Sequence, residues 1–268
     1  MSDALRPSLF VSHGAPTLAV ERNDTTEFLR RLGADLGTPR AVLCVSAHWT
    51  TSAPAVSAAA RPETIHDFGG FAPGLFNIQY PAPGAPWLAA RVAELLAQAS
   101  LPAHVAPARG LDHGAWVPLL HLFPAARVPV AQLSVQPHAD PAAHFRLGQA
   151  LAPLRREDVL VLATGSATHN LARLAPEGDT PPWAAEFDDW LNDKITHGAL
   201  DDLLDYRRRA PHAALAHPTE EHLLPLFVAA GAGAHATHAR GRTLHRGWTY
   251  GSLSMAAYSF GDEEVSKG

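Results

Sequence analysis

Four stretches of the chain, 8–12, 41–47, 128–135 and 159–163, are apolar runs rather than strict alternations; VLCV (42–45) and VLVLA (159–163) are the plainest. Successive side chains of a strand point to opposite faces of its sheet, so a run without alternation belongs to a strand covered on both faces. Between these runs lie segments whose apolar residues recur three and four apart. In 25–36, Phe28, Leu29 and Leu32 share a face behind the candidate caps Asn23, Asp24 and Thr25. In 87–98 the face is Leu88, Val92, Leu95 and Leu96; 140–154 opens on Asp-Pro, 183–195 carries Phe187, Trp190 and Leu191, and 220–230 reads as a further short helix. Strands alternating with helices predict an α/β fold with a central, largely parallel or mixed sheet flanked by helices.

With 268 residues, 47% of them hydrophobic, the chain can bury a sizeable core, and no break in composition divides it. One domain over 1–268 is the expectation, with 1–7 and 261–268 as frayed tails. Two segments resist regular structure: the Pro/Gly-rich 61–86, long for a loop, and 229–241, which reads as a flexible connection. Net charge is −5, and the densest basic run is the three arginines 207–209, which argues against a nucleic-acid partner. The lone cysteine, Cys44, rules out an internal disulfide and reads as a small buried hydrophobe. MSDALRPSLF lacks the basic and apolar regions of a signal peptide, and no apolar run reaches the ~18 residues of a membrane span. A cytoplasmic protein without membrane partners is expected.

Histidine stands out, with 16 residues against 21 Lys+Arg. Three strand-like runs each deliver one just past their carboxyl ends: His13 in SHG, His48 in SAHW and His169 in THN. Ligands of open α/β sheets bind outside the carboxyl ends of the strands, so a parallel sheet would face these three into one crevice. A lone histidine after a strand is most often a capping or hydrogen-bonding residue; the threefold repeat favours a shared ion. In HPTEEHLLPLF, His222 is a fourth candidate, with Glu220 or Glu221 as alternative ligands. His113 sits in GLDHGAW, read as a turn between Gly110 and Gly114. His66, in TIHDFGGF, belongs to a loop that serves either as a lid or as packing, and Trp49 and Phe68 could wall an aromatic pocket.

SHGAP, VSAHW, TIHDFGGF, YPAPG, GLDHGAW, GSATHNL, HPTEEHLLPLF and YGSLSM, in that order, resemble the DOPA 4,5-dioxygenase-like branch of the class III extradiol ring-cleavage dioxygenases, from about residue 8 to 257. The resemblance implies one α/β domain with a mononuclear non-haem metal that opens catechol rings beside the hydroxyls, using O₂. It makes His13, His48 and His222 the metal ligands, His169 the catalytic acid/base, and His113 a second active-site histidine near substrate and oxygen. Protocatechuate-type relatives use a carboxylate as third ligand, where this chain has His222.

Triplet O₂ reacts slowly with a singlet ring, and a redox-active divalent metal that binds both relieves the spin barrier. Fe(II) fits that task; Zn(II), also found in this branch, supports only Lewis-acid or hydroxide chemistry. The expected partners are therefore a DOPA-like or related 3,4-dihydroxyphenyl substrate and O₂, giving a muconic-semialdehyde-type product, in a monomer or homodimer. Rival readings are a zinc hydrolase or amidase on a similar scaffold and a non-catalytic metal-binding protein. A serine hydrolase is weaker, because TGSAT around Ser166 lacks the second glycine of a nucleophile elbow.

Overall fold

The computed structural model describes residues 5–175, 179–235 and 238–261. The four apolar runs become strands β1 (Ser8–Ser12), β2 (Ala41–Thr50), β5 (Val130–Val135) and β6 (Val159–Gly165), interleaved with β3 (Ala55–Ser57) and β4 (His104–Ala106). The carboxyl-terminal region adds β7 (Gly241–His245), the β8–β9 hairpin (Trp248–Thr249, Leu253–Ser254) and β10 (Ala257–Phe260). Eight strands form one mixed sheet in the order β4-β3-β5-β2-β6-β1-β10-β7. Its centre is parallel: β6 pairs with β1 and β2, and β2 with β5, all in the same sense, while β10 runs antiparallel to β1.

Alternation then explains the unbroken apolar runs. Phe10, Leu43, Val45, Val161 and Ala163 face one buried cluster; Leu9, Val11, Val42, Cys44, Leu160 and Leu162 face another. The first cluster is completed by α2 (Pro86–Gln98), α4 (Pro141–Leu151), α5 (Pro182–His197) and α9 (Leu224–Gly233), the second by α1 (Asp24–Leu36) and α3 (His113–Leu122). Three one-turn helices, α6 (Leu200–Leu204), α7 (Tyr206–Arg209) and α8 (Ala213–Ala216), join α5 to α9. Cys44 is fully buried, and burial pushes its thiol pKa up, which suits a packing residue rather than a nucleophile.

Several sequence expectations are corrected. β2 does not stop at residue 47 but runs on to Thr50, so His48 lies inside the strand. His113 is not in a turn: it opens α3, whose Asp112 cap accepts a hydrogen bond from the Ala115 amide. The helix expected over 220–230 begins at Leu224, leaving His222 in the turn before it, and it continues to Gly233 into the segment read as a flexible connection. Residues 236–237 of that segment lie outside the described residues. The 61–86 loop packs around a 3-10 turn, Pro73–Asn77, with its Thr64 bridged to Leu111. Of the tails expected to fray, 1–4 and 262–268 lie outside the described residues, whereas Arg6 is tied to Asp158 at 2.6 Å and Gly261 O accepts from Arg155. Among the described residues no helix is long and apolar enough to cross a membrane.

Candidate metal centre

The carboxyl ends of β1, β2 and β6 lie side by side because those strands are neighbours running the same way. His13 follows β1 directly, and Gly14, at φ +64°, turns the chain away behind it in a conformation that favours glycine. In β2, pairing with β6 ends at Ser46, and the register with β5 shifts between Val45 and Thr50. That irregularity re-aims the end of the strand, the usual local use of a bulge. The His222 turn docks onto the end of β6: Ser166 N–H donates to His222 O at 2.9 Å, and His13 N–H donates to Gly165 O at 2.9 Å.

Three imidazoles thereby meet. His13 Nε2 lies 3.0 Å from His48 Nε2, and His48 Nε2 lies 3.3 Å from His222 Nε2; the His13 and His222 ring centroids are 5.4 Å apart. Bonds of about 2.0–2.1 Å from three nitrogens to one divalent ion give this kind of spacing. Burial first, and the neighbouring histidines next, push the pKa of His13 and His222 well below the usual imidazole value and that of His48 down to about 3. All three are therefore neutral at pH 7, as metal ligands must be. His222 Nδ1 faces Glu221 Oε1 at 2.9 Å, a contact that leaves Nε2 free to coordinate, while His13 Nδ1 is buried without a hydrogen-bond partner among the described residues. Glu220 turns elsewhere and accepts from the Tyr206 hydroxyl.

Two further donor groups share residues with this triangle: His13, His48 and His113, and His169, Glu221 and His222, each with ligand atoms within 4.8 Å of one another. His13, His48 and His222 are linked by Nε2–Nε2 approaches of 3.0 and 3.3 Å. His169 lies flat on His222, with centroids 3.4 Å apart and planes 7° apart, and its pKa is pushed down to about 4 by burial. His113 is 3.9 Å from His48 between centroids, and its Nδ1 and backbone N–H both donate to Asp67 Oδ1, at 3.0 and 2.8 Å. Burial alone would raise the Asp67 carboxyl; its hydrogen bonds with His113 outweigh that and hold its pKa at about 2.

A cavity of about 420 Å³ opens onto these groups. His13, His48, His113 and His169 line it together with Phe68 and Phe71 of the long loop, Leu171 and Leu174 after β6, and Tyr250 and Leu253 of the β8–β9 hairpin. The Tyr250 hydroxyl sits 3.0 Å from Thr17 Oγ1, joining the hairpin to the 3-10 turn Pro16–Ala19 that follows His13. A larger groove, about 710 Å³, lies at the amino ends of β1 and β6, away from the histidines.

Of the residues singled out in the sequence, His13, His48, His113, His169, His222 and Phe68 come together here. All of these but His222 line the cavity; His222 sits behind His169, while Trp49 and His66 are outside the cluster. Trp49 is buried beneath the Arg109 guanidinium, 5.2 Å from its ring centroid. His66 lies with Nε2 2.9 Å from Ile78 O and packs against Phe68, Phe76 and Trp116, so it braces the loop. Sequence reasoning missed Asp67, Leu171, Leu174 and Tyr250. Asp67 was the most findable, as an acid beside His66 in an otherwise apolar, glycine-bearing loop.

Residues 7–261 match the family described as the catalytic LigB subunit of aromatic ring-opening dioxygenase. The chain belongs to this family. It is an aromatic ring-opening dioxygenase, and its family works with a non-haem metal and O₂. It is 41% identical over 263 residues to the 4,5-DOPA dioxygenase extradiol of Beta vulgaris, covering 96% of this chain and 97% of that one. Against the protein of the same name from Portulaca grandiflora it is 43% identical over 269 residues, covering 96% of each. The Escherichia coli K12 protein of that name is 40% identical over 237 residues, 87% of each chain. A crystal structure of JW3007 from Escherichia coli K12 superposes with a TM-score of 0.80 at 34% identity, covering 96% of this chain and all of that one.

Proposed function

We propose that this LigB-family chain opens the ring of a DOPA-like or related 3,4-dihydroxyphenyl substrate in the extradiol sense, with one divalent metal held by His13, His48 and His222. The observation that carries the proposal is the Nε2 triangle, with approaches of 3.0 and 3.3 Å, two corners of which, His13 and His48, line a largely apolar cavity of about 420 Å³. When bound, Fe(II) supplies redox contact between catechol and O₂ that Zn(II), without redox chemistry, cannot.

The surrounding residues do the rest. Glu221 orients His222, and the Asp67–His113 pair fixes His113 with its Nδ1 toward the carboxylate. His169, its ring bordering the cavity and kept neutral by burial, is placed to take the proton of a catechol hydroxyl and later return it. Phe68, Phe71, Leu171 and Leu174 line the cavity and give it the apolar surface that suits an aromatic ring. The names of the relatives point to DOPA as a first substrate to try.

The test is to strip the protein of metal, restore Fe(II) anaerobically, add DOPA and a panel of other catechols, and admit air. A yellow semialdehyde chromophore with equimolar O₂ uptake is expected. Zinc-dependent ester or amide hydrolysis without oxygen uptake would replace this reading with the hydrolase one.

A further inference from the structure

One carboxylate touches two of the five clustered histidines. Asp67 Oδ1 accepts from the His113 backbone N–H at 2.8 Å and lies 3.0 Å from His113 Nδ1, and Asp67 Oδ2 lies 3.4 Å from His48 Nδ1. Its place is set from both sides. Ile65 N–H donates to Leu111 O and Leu111 N–H to Glu63 O, each at 2.7 Å, and the Trp116 indole N–H donates to Ile65 O at 3.0 Å. The limb of the loop up to Asp67 is thus stitched to the entrance of α3, which carries His113 as its first residue. Immediately after Asp67 come Phe68 and Phe71, with ring centroids 5.6 Å apart, and a stretch where a Cβ on Gly69, Gly70 or Gly74 would meet no atom within 4 Å.

We propose that Asp67 is a positioning residue: it holds His113 with Nε2 presented away from the carboxylate, steadies His48, and couples both to the Phe68/Phe71 wall. With the proton on Nδ1 shared with a carboxylate, the other ring nitrogen keeps its lone pair and the ring keeps its orientation. Because the wall begins at the next residue, a substrate that moves Phe68 acts on His113 through Asp67. The kinetic part rests on the ring-opening reading above; the metal-binding part does not.

The test compares Asp67→Asn, which keeps the shape and part of the acceptor capacity, with Asp67→Leu, which keeps the bulk and no acceptor. On Fe(II)-loaded protein, Asp67→Leu is expected to lower kcat for a catechol about 10–100-fold with KM shifted less than about threefold, and Asp67→Asn to fall between it and wild type. In a His113→Ala background the same substitution should cost less than about threefold, because its main target is gone. Anaerobic titration of metal-free protein with Co(II) should show affinity weakened about tenfold in Asp67→Leu, through His48. Equal effects of Asn and Leu, losses that multiply in the double variant, or a raised KM at unchanged kcat would each overturn the proposal in favour of simple wall packing. If wild type opens no catechol, the ring-opening reading fails separately, and Co(II) affinity still decides: unchanged affinity in Asp67→Leu overturns the role of Asp67.

Discussion

At Gly165 the end of β6 presses directly on the turn that carries His222. A Cβ built there would lie 2.1 Å from the His222 carbonyl oxygen and 3.1 Å from its carbon. Ordinary carbon–oxygen contacts begin at about 3.3 Å, so in Gly165→Ala the turn must retreat by about an ångström. The displacement cannot stay local. His222 O is held by Ser166 N–H, and Gly165 O holds the His13 amide, each at 2.9 Å, so two corners of the Nε2 triangle sit on the moving backbone. Overpacking of this kind costs about 1–3 kcal/mol, and for a chain of this length each kcal/mol lowers the melting midpoint by roughly 2–4 °C. A ligand displaced by about an ångström also weakens the site, by at least about tenfold in Co(II) affinity if it behaves like a disturbed supporting contact. The assay is anaerobic Co(II) titration followed by visible absorption, with a thermal melt of the metal-free protein alongside. Gly69→Ala is the control, since its Cβ would meet nothing within 4 Å, and both readings should match wild type. A folded Gly165→Ala protein with wild-type Co(II) affinity would refute the reasoning.

Three further outcomes follow from the same geometry. His169→Ala should retain its metal and lose roughly 10²–10⁴-fold in turnover, the range of a general acid–base group; normal turnover would remove that role. Glu221→Gln, which replaces the carboxylate 2.9 Å from His222 Nδ1, should weaken metal binding about 10–100-fold in equilibrium dialysis, and unchanged affinity would show the contact to be idle. His217 is fully buried with Nε2 donating to Ala167 O, its Nδ1 lacks a partner among the described residues, and burial depresses its pKa to about 3. The unfolded chain therefore binds a proton below about pH 6.5 that the fold refuses, so stability is full above that pH and falls toward pH 3 by up to about 1.4 kcal/mol per unit. Urea midpoints of metal-free protein at pH 7 and pH 5 should separate more for wild type than for His217→Gln; equal separation would discount this residue.

The central sheet was legible because two-sided burial forces unbroken apolar runs, as in Val42–Val45 and Val159–Ala163. The antiparallel β7–β10 region was not, since strands such as Trp248–Thr249 are too short to show a period. α3 was hidden by its own composition: nine of its ten residues are buried and it carries Gly114 and Pro118, so it has no polar stripe to mark a helix. In the site, His13, His48 and His169 were readable because parallel neighbours bring their carboxyl ends to one edge. His222 was not separable from Glu220 and Glu221 by spacing; the resemblance chose it, and the structure shows Glu221 behind its ring rather than inside the Nε2 triangle. Asp67 and His113 are 46 residues apart, and only the folded loop brings them together. Trp49 was singled out for adjacency to His48, but neighbours along a strand face opposite ways, and its ring lies under Arg109 instead. His66 was singled out for its long, glycine-bearing loop, and its ring packs behind Phe68 rather than lining the cavity.

The most direct test of this account is a crystal structure of protein loaded with Co(II) or Zn(II), with anomalous data collected at the metal edge. One peak per chain is predicted, about 2.0–2.3 Å from Nε2 of His13, His48 and His222, with the remaining positions open toward the cavity. A peak coordinated by His113 or His169 in place of one of these, or a site closed by four protein ligands, would contradict it.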